Sequence, residues 1–214
     1  MRPRFYDSGG PVTSGAVVRC NSQTFEASAK SWHNLSFSTA GASDCSTVTT
    51  WPLWPNNVAE FGIINSNAEL AALTDVTWEA WINLSGAGPG YATVVSKWAQ
   101  LGGMLVGTVG HAGFYDPGGV GIRLGGTQMA VGQWYHVAIS CSTVTSTGTI
   151  YLNGQVDGSG AYSVGATTTW PVYFGKMPGS WPLNGQIKAC RVYNRALAGG
   201  EIKRNYNASR ARYP

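Results

Sequence analysis

Charge is scarce in this chain. Asp, Glu, Lys and Arg make up 11% of its 214 residues, against roughly 25% in an average soluble domain. The surface must be built largely from Gly, Ser, Thr and Asn, or be covered in part by partners, because interface cores are depleted of charge. The ten acids include no pair at i, i+2. That spacing would put two carboxylates on one strand face, and retaining glycoside hydrolysis needs them about 5 Å apart. No enzyme is expected. Only acids assembled by the fold, such as Glu60 with Glu79 on adjoining strands, would restore that chemistry. A formal net charge of +4 is too small and too dispersed for nucleic acid, with basic residues gathered only at Arg2 and Arg4 and at Lys203, Arg204, Arg210 and Arg212. No run approaches the roughly 18 apolar residues of a membrane span. The first residues lack the apolar stretch of a secretory signal, so a product made and kept in a cytoplasm, or released by lysis, is expected.

Cysteine chemistry is equally thin. Cys20, Cys45, Cys141 and Cys190 form no CxxC and no Cys/His cluster, which argues against zinc. Cys141 and Cys190 lie inside apolar strands and read as small buried hydrophobes. Cys20 and Cys45 flank an irregular region and could pair in an oxidising environment; in a cytoplasmic product free thiols are expected. His33, His111 and His136 are far apart, and His136 reads as a structural histidine within a strand. Neither a metal nor a cofactor is expected.

Aromatic residues and glycine are what the chain has in quantity: nine Trp, ten Tyr and 29 Gly. Val76 to Leu84 is the clearest strand. Val76, Trp78, Ala80, Ile82 and Leu84 point one way, and Thr77, Glu79, Trp81 and Asn83 the other. Trp78 and Trp81 therefore lie on opposite faces, so one leaves the inter-sheet core or packs beneath a second layer. Further strands are predicted over 15–20, 57–62, 91–98, 104–108, 119–124, 133–141, 149–152, 171–176 and 186–193. Asn153-Gly154 is a hairpin signal, since a two-residue type I′ turn needs positive φ at both positions. Residues 21–55 are too long for a loop and must hold short strands that the pattern does not place. Short strands punctuated by glycine, with helix signals only after Asn194, predict an all-β sandwich.

Several stretches resemble laminin-G-like, concanavalin-A-like jelly rolls. They are Ser31-Trp-His-Asn-Leu-Ser, Val76-Thr-Trp-Glu-Ala-Trp-Ile-Asn, Val95-Ser-Lys-Trp, Trp134-Tyr-His-Val-Ala, Thr149-Ile-Tyr-Leu-Asn-Gly-Gln and the closing strand, turn and helix from Gly185 to Tyr206. They follow the family's order across about residues 15 to 206. The resemblance implies a two-sheet antiparallel β-sandwich over 15–206 with a short C-terminal helix; residues 1–14, rich in Pro, Gly and Arg, read as an extended arm, and 207–214 as a tail. The loop that usually carries aspartates reads Phe61-Gly-Ile-Ile-Asn, which weakens the carry-over of a calcium site. The helix cap has Ala198 where the family has Ser, so the reciprocal capping bond with Glu201 is expected to be lost. Gly199 and Gly200 lower helix propensity by roughly 1 kcal/mol each. Packing of Leu197, Ile202 and Tyr206 is expected to hold the helix instead.

The family binds, decorates and adheres more often than it catalyses, and the tail from Asn205 is similar to endings in members from tailed-phage virions. The expectation is a non-enzymatic virion structural protein that decorates or cements the capsid after assembly in the host cytoplasm. Its partners would be the major capsid protein or other virion proteins, with a symmetric homo-oligomer such as a trimer. Arg2, Arg4, Phe5 and Tyr6 of the arm would contact the capsid. The alternative is a glycan-binding, lectin-like adhesion module of a tail, fibre or surface that takes polysaccharide; a glycoside hydrolase comes third. Trp54, Trp98, Trp170 and Trp181, in or beside loops next to Pro or Gly, could stack on a sugar or anchor a protein interface. Glu79 and Trp81 mark a further candidate ligand surface. Neither nucleic acid nor a membrane is an expected partner.

Overall fold

The computed structural model describes residues 16–21, 25–26, 36–39, 45–53, 57–64, 71–86, 90–119, 121–166, 170–175 and 181–213, with side chains from 71 onward except 188–189. The arm residues Arg2, Arg4, Phe5 and Tyr6, as well as Trp54, lie outside these residues. The first five strands are β1 (Ala16–Asn21), β2 (Phe25–Glu26), β3 (Ser36–Thr39), β4 (Cys45–Leu53) and β5 (Asn57–Ile64). The next five are β6 (Val76–Leu84), β7 (Ala92–Lys97), β8 (Gly102–Val106), β9 (His111–Asp116) and β10 (Gly121–Gln128). Then come β11 (Trp134–Ser142), β12 (Thr147–Leu152), β13 (Gln155–Ala161), β14 (Val172–Phe174) and β15 (Gly185–Tyr193). Helix α1 is a single turn at Trp98–Leu101; α2 spans Gly199–Ser209 and ends in a 3-10 turn, Arg210–Arg212.

Two antiparallel sheets result. The first runs β13-β12-β11-β6-β15-β1-β3, with β2 also pairing β15; the second runs β10-β9-β8-β7-β14-β5-β4. The core between them takes Val76, Trp78, Ala80, Ile82 and Leu84 from β6, and Val137, Ile139 and Cys141 from β11. The facing sheet supplies Val94, Val95, Met104, Phe114, Val172 and Phe174. The period-two alternation of β6 is thus realised in full, and a one-residue slip would turn Thr77, Glu79 and Trp81 into the inter-sheet core instead. Cys141 and Cys190 are free and buried. Among the described residues no helix is long and apolar enough to cross a membrane.

The long segment 21–55 does hold strands, namely β2, β3 and β4. Two more, β9 and β13, are absent from the sequence prediction. In β9 the inward Ala112 and Phe114 flank Gly113, where a Cβ would fall 2.3 Å from the Arg123 carbonyl oxygen. The required glycine hides the alternation. In β13, Val156 is 66% exposed and the strand edges its sheet, so no buried face marks it.

Asn153 and Gly154 adopt φ values of 50° and 75°, and Leu152 pairs with Gln155 across them. This is the type I′ hairpin the dipeptide encodes. The turn also lies against α2, since a Cβ on Gly154 would stand 3.2 Å from Lys203 Cα. Gly154→Ala combines left-handed strain with that approach and is expected to cost about 1–2 kcal/mol, measured by urea denaturation; a loss below about 0.5 kcal/mol would mean the turn and helix accommodate the methyl group.

Candidate functional site: a covered face and an aromatic face

The outer face of the first sheet is covered by α2 and the segment leading into it. Thr77 Oγ1 donates to the Arg195 carbonyl at 2.8 Å and accepts from Leu197 N–H at 2.9 Å. Ser140 Oγ donates to the Leu197 carbonyl at 2.8 Å. Leu197 and Ile202 pack with Ala138, Tyr151 and Tyr193. Trp81, 2% exposed, donates its indole N–H to Ser209 Oγ at 3.0 Å and lies 4.6 Å from the Tyr213 ring. It is the tryptophan that packs beneath a second layer.

Glu79 is fully buried in the same face. Its Oε1 accepts from Arg191 Nη1 on the neighbouring strand at 2.5 Å, and its Oε2 from Asn205 Nδ2 of α2 at 2.6 Å. His136 Nε2 lies 3.4 Å from Oε1. Burial pushes the carboxyl pKa up, but His136, Arg191 and Asn205 outweigh it and leave the group below its ordinary value. A carboxylate held in this way fastens helix to sheet. Glu79 and Trp81, expected to mark a ligand surface, therefore sit beneath α2.

The partners Asn205 and Ser209 were missed because hydropathy ignores them. Ile202, Asn205 and Ser209 recur at helical spacing and are all buried, so two of the three inward residues of α2 are polar. Half of the capping box also survives: Ala198 N–H donates to Glu201 Oε2 at 3.0 Å. The other half needs a side-chain acceptor that alanine lacks. Arg195 grips the same carboxylate at 2.7 and 2.8 Å, and chiefly this contact draws the Glu201 pKa down to about 2.

The outer face of the second sheet is different. Register places Tyr173 beside Ser96, Ser96 beside Gly103, Gly103 beside Tyr115, and Tyr115 beside Ile122. Their chain neighbours Phe174, Val95, Met104 and Phe114 are in the core, so this row points outward. Trp98, at the start of α1, stacks on Tyr115 with ring centroids 4.1 Å apart and 12° between planes. Trp181 meets Trp98 edge-on at 5.4 Å and 89°, and Tyr91 lies 5.2 Å from Trp181. All four rings are half-buried.

Two of the predicted tryptophans, Trp98 and Trp181, are thus brought together, with Tyr91 and Tyr115, which the sequence reading overlooked. Trp170 is 41% exposed on the segment entering β14. Trp181 has φ 54°, a left-handed conformation that strains a bulky residue by roughly 1–3 kcal/mol; its carbonyl is held by Thr93 N–H at 2.8 Å. Ser96 is 1% exposed and its Oγ has no hydrogen-bond partner, which costs roughly 1–3 kcal/mol. Lys97, the next residue, is buried and donates to Gln100 Oε1 at 2.8 Å. Burial brings its pKa down to about 8. Among the described residues no group of His, Cys, Asp or Glu is arranged to hold a metal ion.

The acids whose side chains are described are engaged elsewhere. Asp75 accepts from Thr143 N–H and Oγ1 at 2.7 and 2.6 Å. Asp116 accepts from Ser163 N–H at 2.9 Å and Asp157 from Thr127 N–H at 3.1 Å. Glu60 belongs to β5 of the second sheet, whereas Glu79 points away from that sheet toward α2. The two strands do not adjoin, and the Glu60–Glu79 pairing contemplated from the sequence is not formed.

Two antiparallel sheets packed face to face, with a C-terminal helix across one of them, define a concanavalin-A-like sandwich. The chain belongs to the concanavalin A-like lectin/glucanases superfamily: a laminin-G family model of that description matches residues 59–203. Comparison with curated protein sequences finds no match. Among solved structures, the chain is similar to the binding domain of Paraclostridial Mosquitocidal Protein 1, with TM-score 0.65 and 15% identity over 91% of this chain and 52% of that one. It is similar to Trypanosoma rangeli sialidase in complex with sialic acid, with TM-score 0.65 and 16% identity over 94% of this chain and 34% of the other. A putative carbohydrate binding protein from Bacteroides ovatus gives TM-score 0.56 and 14% identity over 79% and 54%. The chain spans about a third to a half of these longer chains, and identities this low establish the fold alone.

Proposed function

We propose that the protein is a non-catalytic glycan-binding module whose ligand lies on the outer face of the second sheet. The observation that carries this reading is the group of half-buried rings, Tyr91, Trp181, Trp98 and Tyr115, gathered from three separate chain segments. Flat rings with an apolar body and a polar edge suit the alternating apolar and hydroxyl surfaces of a sugar. The fold relatives support it: one is named for carbohydrate binding, and one holds a sialic acid. Binding without hydrolysis is favoured because Asp75, Glu79, Asp116, Asp157 and Glu201, the acids whose side chains are described, are each taken up in a structural hydrogen bond or ion pair. Capsid decoration, the first expectation from the sequence, rested on the missing secretory signal, the low charge, the arm and the tail, and has no counterpart among the relatives above; the lectin-like alternative takes its place.

A glycan array read with the full chain, followed by titration of the best ligand, tests the proposal. Removing a central aromatic anchor typically costs 2 kcal/mol or more, so Trp98→Ala and Trp181→Ala are each expected to raise Kd by about 30-fold or more. Binding that survives both substitutions, or reducing-sugar release by the wild-type chain, would overturn the reading.

A further inference from the structure

Among the described residues, the aromatic face holds a buried polar group without a hydrogen-bond partner. Ser96 lies in the middle of the outward row, and its Oγ is buried without a partner. Its cross-strand neighbours account for this. Gly103 on β8 has no side chain to offer, and Tyr173 on β14 does not bond it. Nor can a larger residue replace Gly103, where a Cβ would fall 2.4 Å from Ser96 Cβ. Strand pairing therefore holds a hydroxyl, able to donate once and accept twice, on the face that carries the rings.

Among the described residues, the charges near this face are turned away from it. Lys97 follows Ser96, alternates to the other side and donates to Gln100. Arg123 pairs with the core residue Phe114, and its side chain runs over Gly160 of β13. Asp116 is held by Gly119 and Ser163. The row through Ser96 has no charged member among the described residues, and neither has the next row, Thr93, Leu105, Gly113 and Leu124. An anionic sugar placed here would lose its water without gaining a counter-charge. An uncharged one loses less and gains both stacking and a hydrogen bond.

We infer that Ser96 is the hydrogen-bonding floor of the glycan site, and that the ligand is an uncharged sugar residue whose hydroxyl bonds Ser96 Oγ while its ring stacks on the neighbouring indoles. This rests on the glycan-binding reading and adds to it a specificity residue and a ligand class. Because Ser96 is buried, the side chains that cover it must shift to admit the hydroxyl. Trp181 has the strained backbone of the ring group, with φ 54°, and such strain gathers at ligand clamps.

The full chain is titrated calorimetrically with neutral gluco-, galacto-, manno- and xylo-oligosaccharides, and with sialyllactose and oligogalacturonate as anionic probes. A neutral series is expected to bind at least about tenfold more tightly than either anion. Ser96→Ala is expected to raise the Kd of that ligand by about tenfold, the loss of one buried hydrogen bond. Its thermal midpoint should stay level or rise, because an unpartnered hydroxyl is gone. A merely structural serine would lower the midpoint and leave Kd alone. Unchanged affinity in Ser96→Ala, with binding still lost in Trp98→Ala, overturns the role of Ser96 and leaves glycan binding standing. Tighter binding of an anionic probe overturns the ligand class, and failure of the wild-type chain to bind any sugar overturns both proposals.

Discussion

Glu79→Ala is expected to destabilise the protein by about 3–5 kcal/mol, the usual loss when one partner of a buried ion pair is removed. The substitution leaves the Arg191 guanidinium, whose side chain is 17% exposed, without its carboxylate, and strips Asn205 of its 2.6 Å acceptor. Most of the expected loss is that abandoned polarity rather than the worth of the pair itself. Glu79→Gln keeps the shape and an acceptor and should lose less, about 1–3 kcal/mol. Replacing Glu79 and Arg191 together by Met should recover part of the loss. Urea denaturation measures all three. A loss under about 1 kcal/mol for Glu79→Ala would show that the carboxylate does not hold α2 down. The sign of the pH effect follows from the lowered pKa of Glu79. Its stabilisation is fully present above the ordinary carboxylate value and disappears as pH falls through the lower, folded value. Glu79→Gln should flatten that part of the acid limb.

Where a strand has one buried and one covered face, as in β6, alternation was legible and its bounds were predicted to the residue. The Asn153-Gly154 turn was equally legible, because its chemistry is local. Legibility failed where a tertiary approach dictated the residue. Gly113 in β9 answers to a carbonyl on β10, and β13 is an exposed edge with little apolar content. The site divided in the same way. Indoles beside Pro and Gly drew notice to Trp98 and Trp181, but Tyr91 and Tyr115 join them only through the pairing of β7, β8 and β9. Glu79 and Trp81 were legible as the second face of β6. That the face is covered depends on Asn205 and Ser209, polar residues whose partners lie more than a hundred positions away in the chain.

Trp81→Ala is expected to cost about 3–5 kcal/mol, as for other fully buried aromatics. For a chain of this size that lowers the thermal midpoint by about 2–4 °C per kcal/mol. The indole supports the C-terminal segment at three points: the Ser209 hydroxyl, the Tyr206 ring 5.8 Å away and the Tyr213 ring at 4.6 Å. Its removal loosens the end of α2 while the carboxylate of Glu79 still grips the middle. The two residues lie on one strand face and hold one helix, so their losses should not add. Once either anchor is gone the helix opens more readily, and the second substitution removes contacts that are already partly lost. Glu79→Ala combined with Trp81→Ala should therefore cost at least 1 kcal/mol less than the sum of the two, a coupling within the usual range for contacting networks. Hydrogen exchange locates the effect. Amides of 199–213 should lose protection in either single variant, while those of β7, β8 and β9 in the second sheet keep theirs. Strict additivity, with protection lost evenly across both sheets, would mean that α2 is an integral part of the sandwich. The expected pattern makes it a separately opening unit clasped to one face, leaving the aromatic face of the other sheet undisturbed.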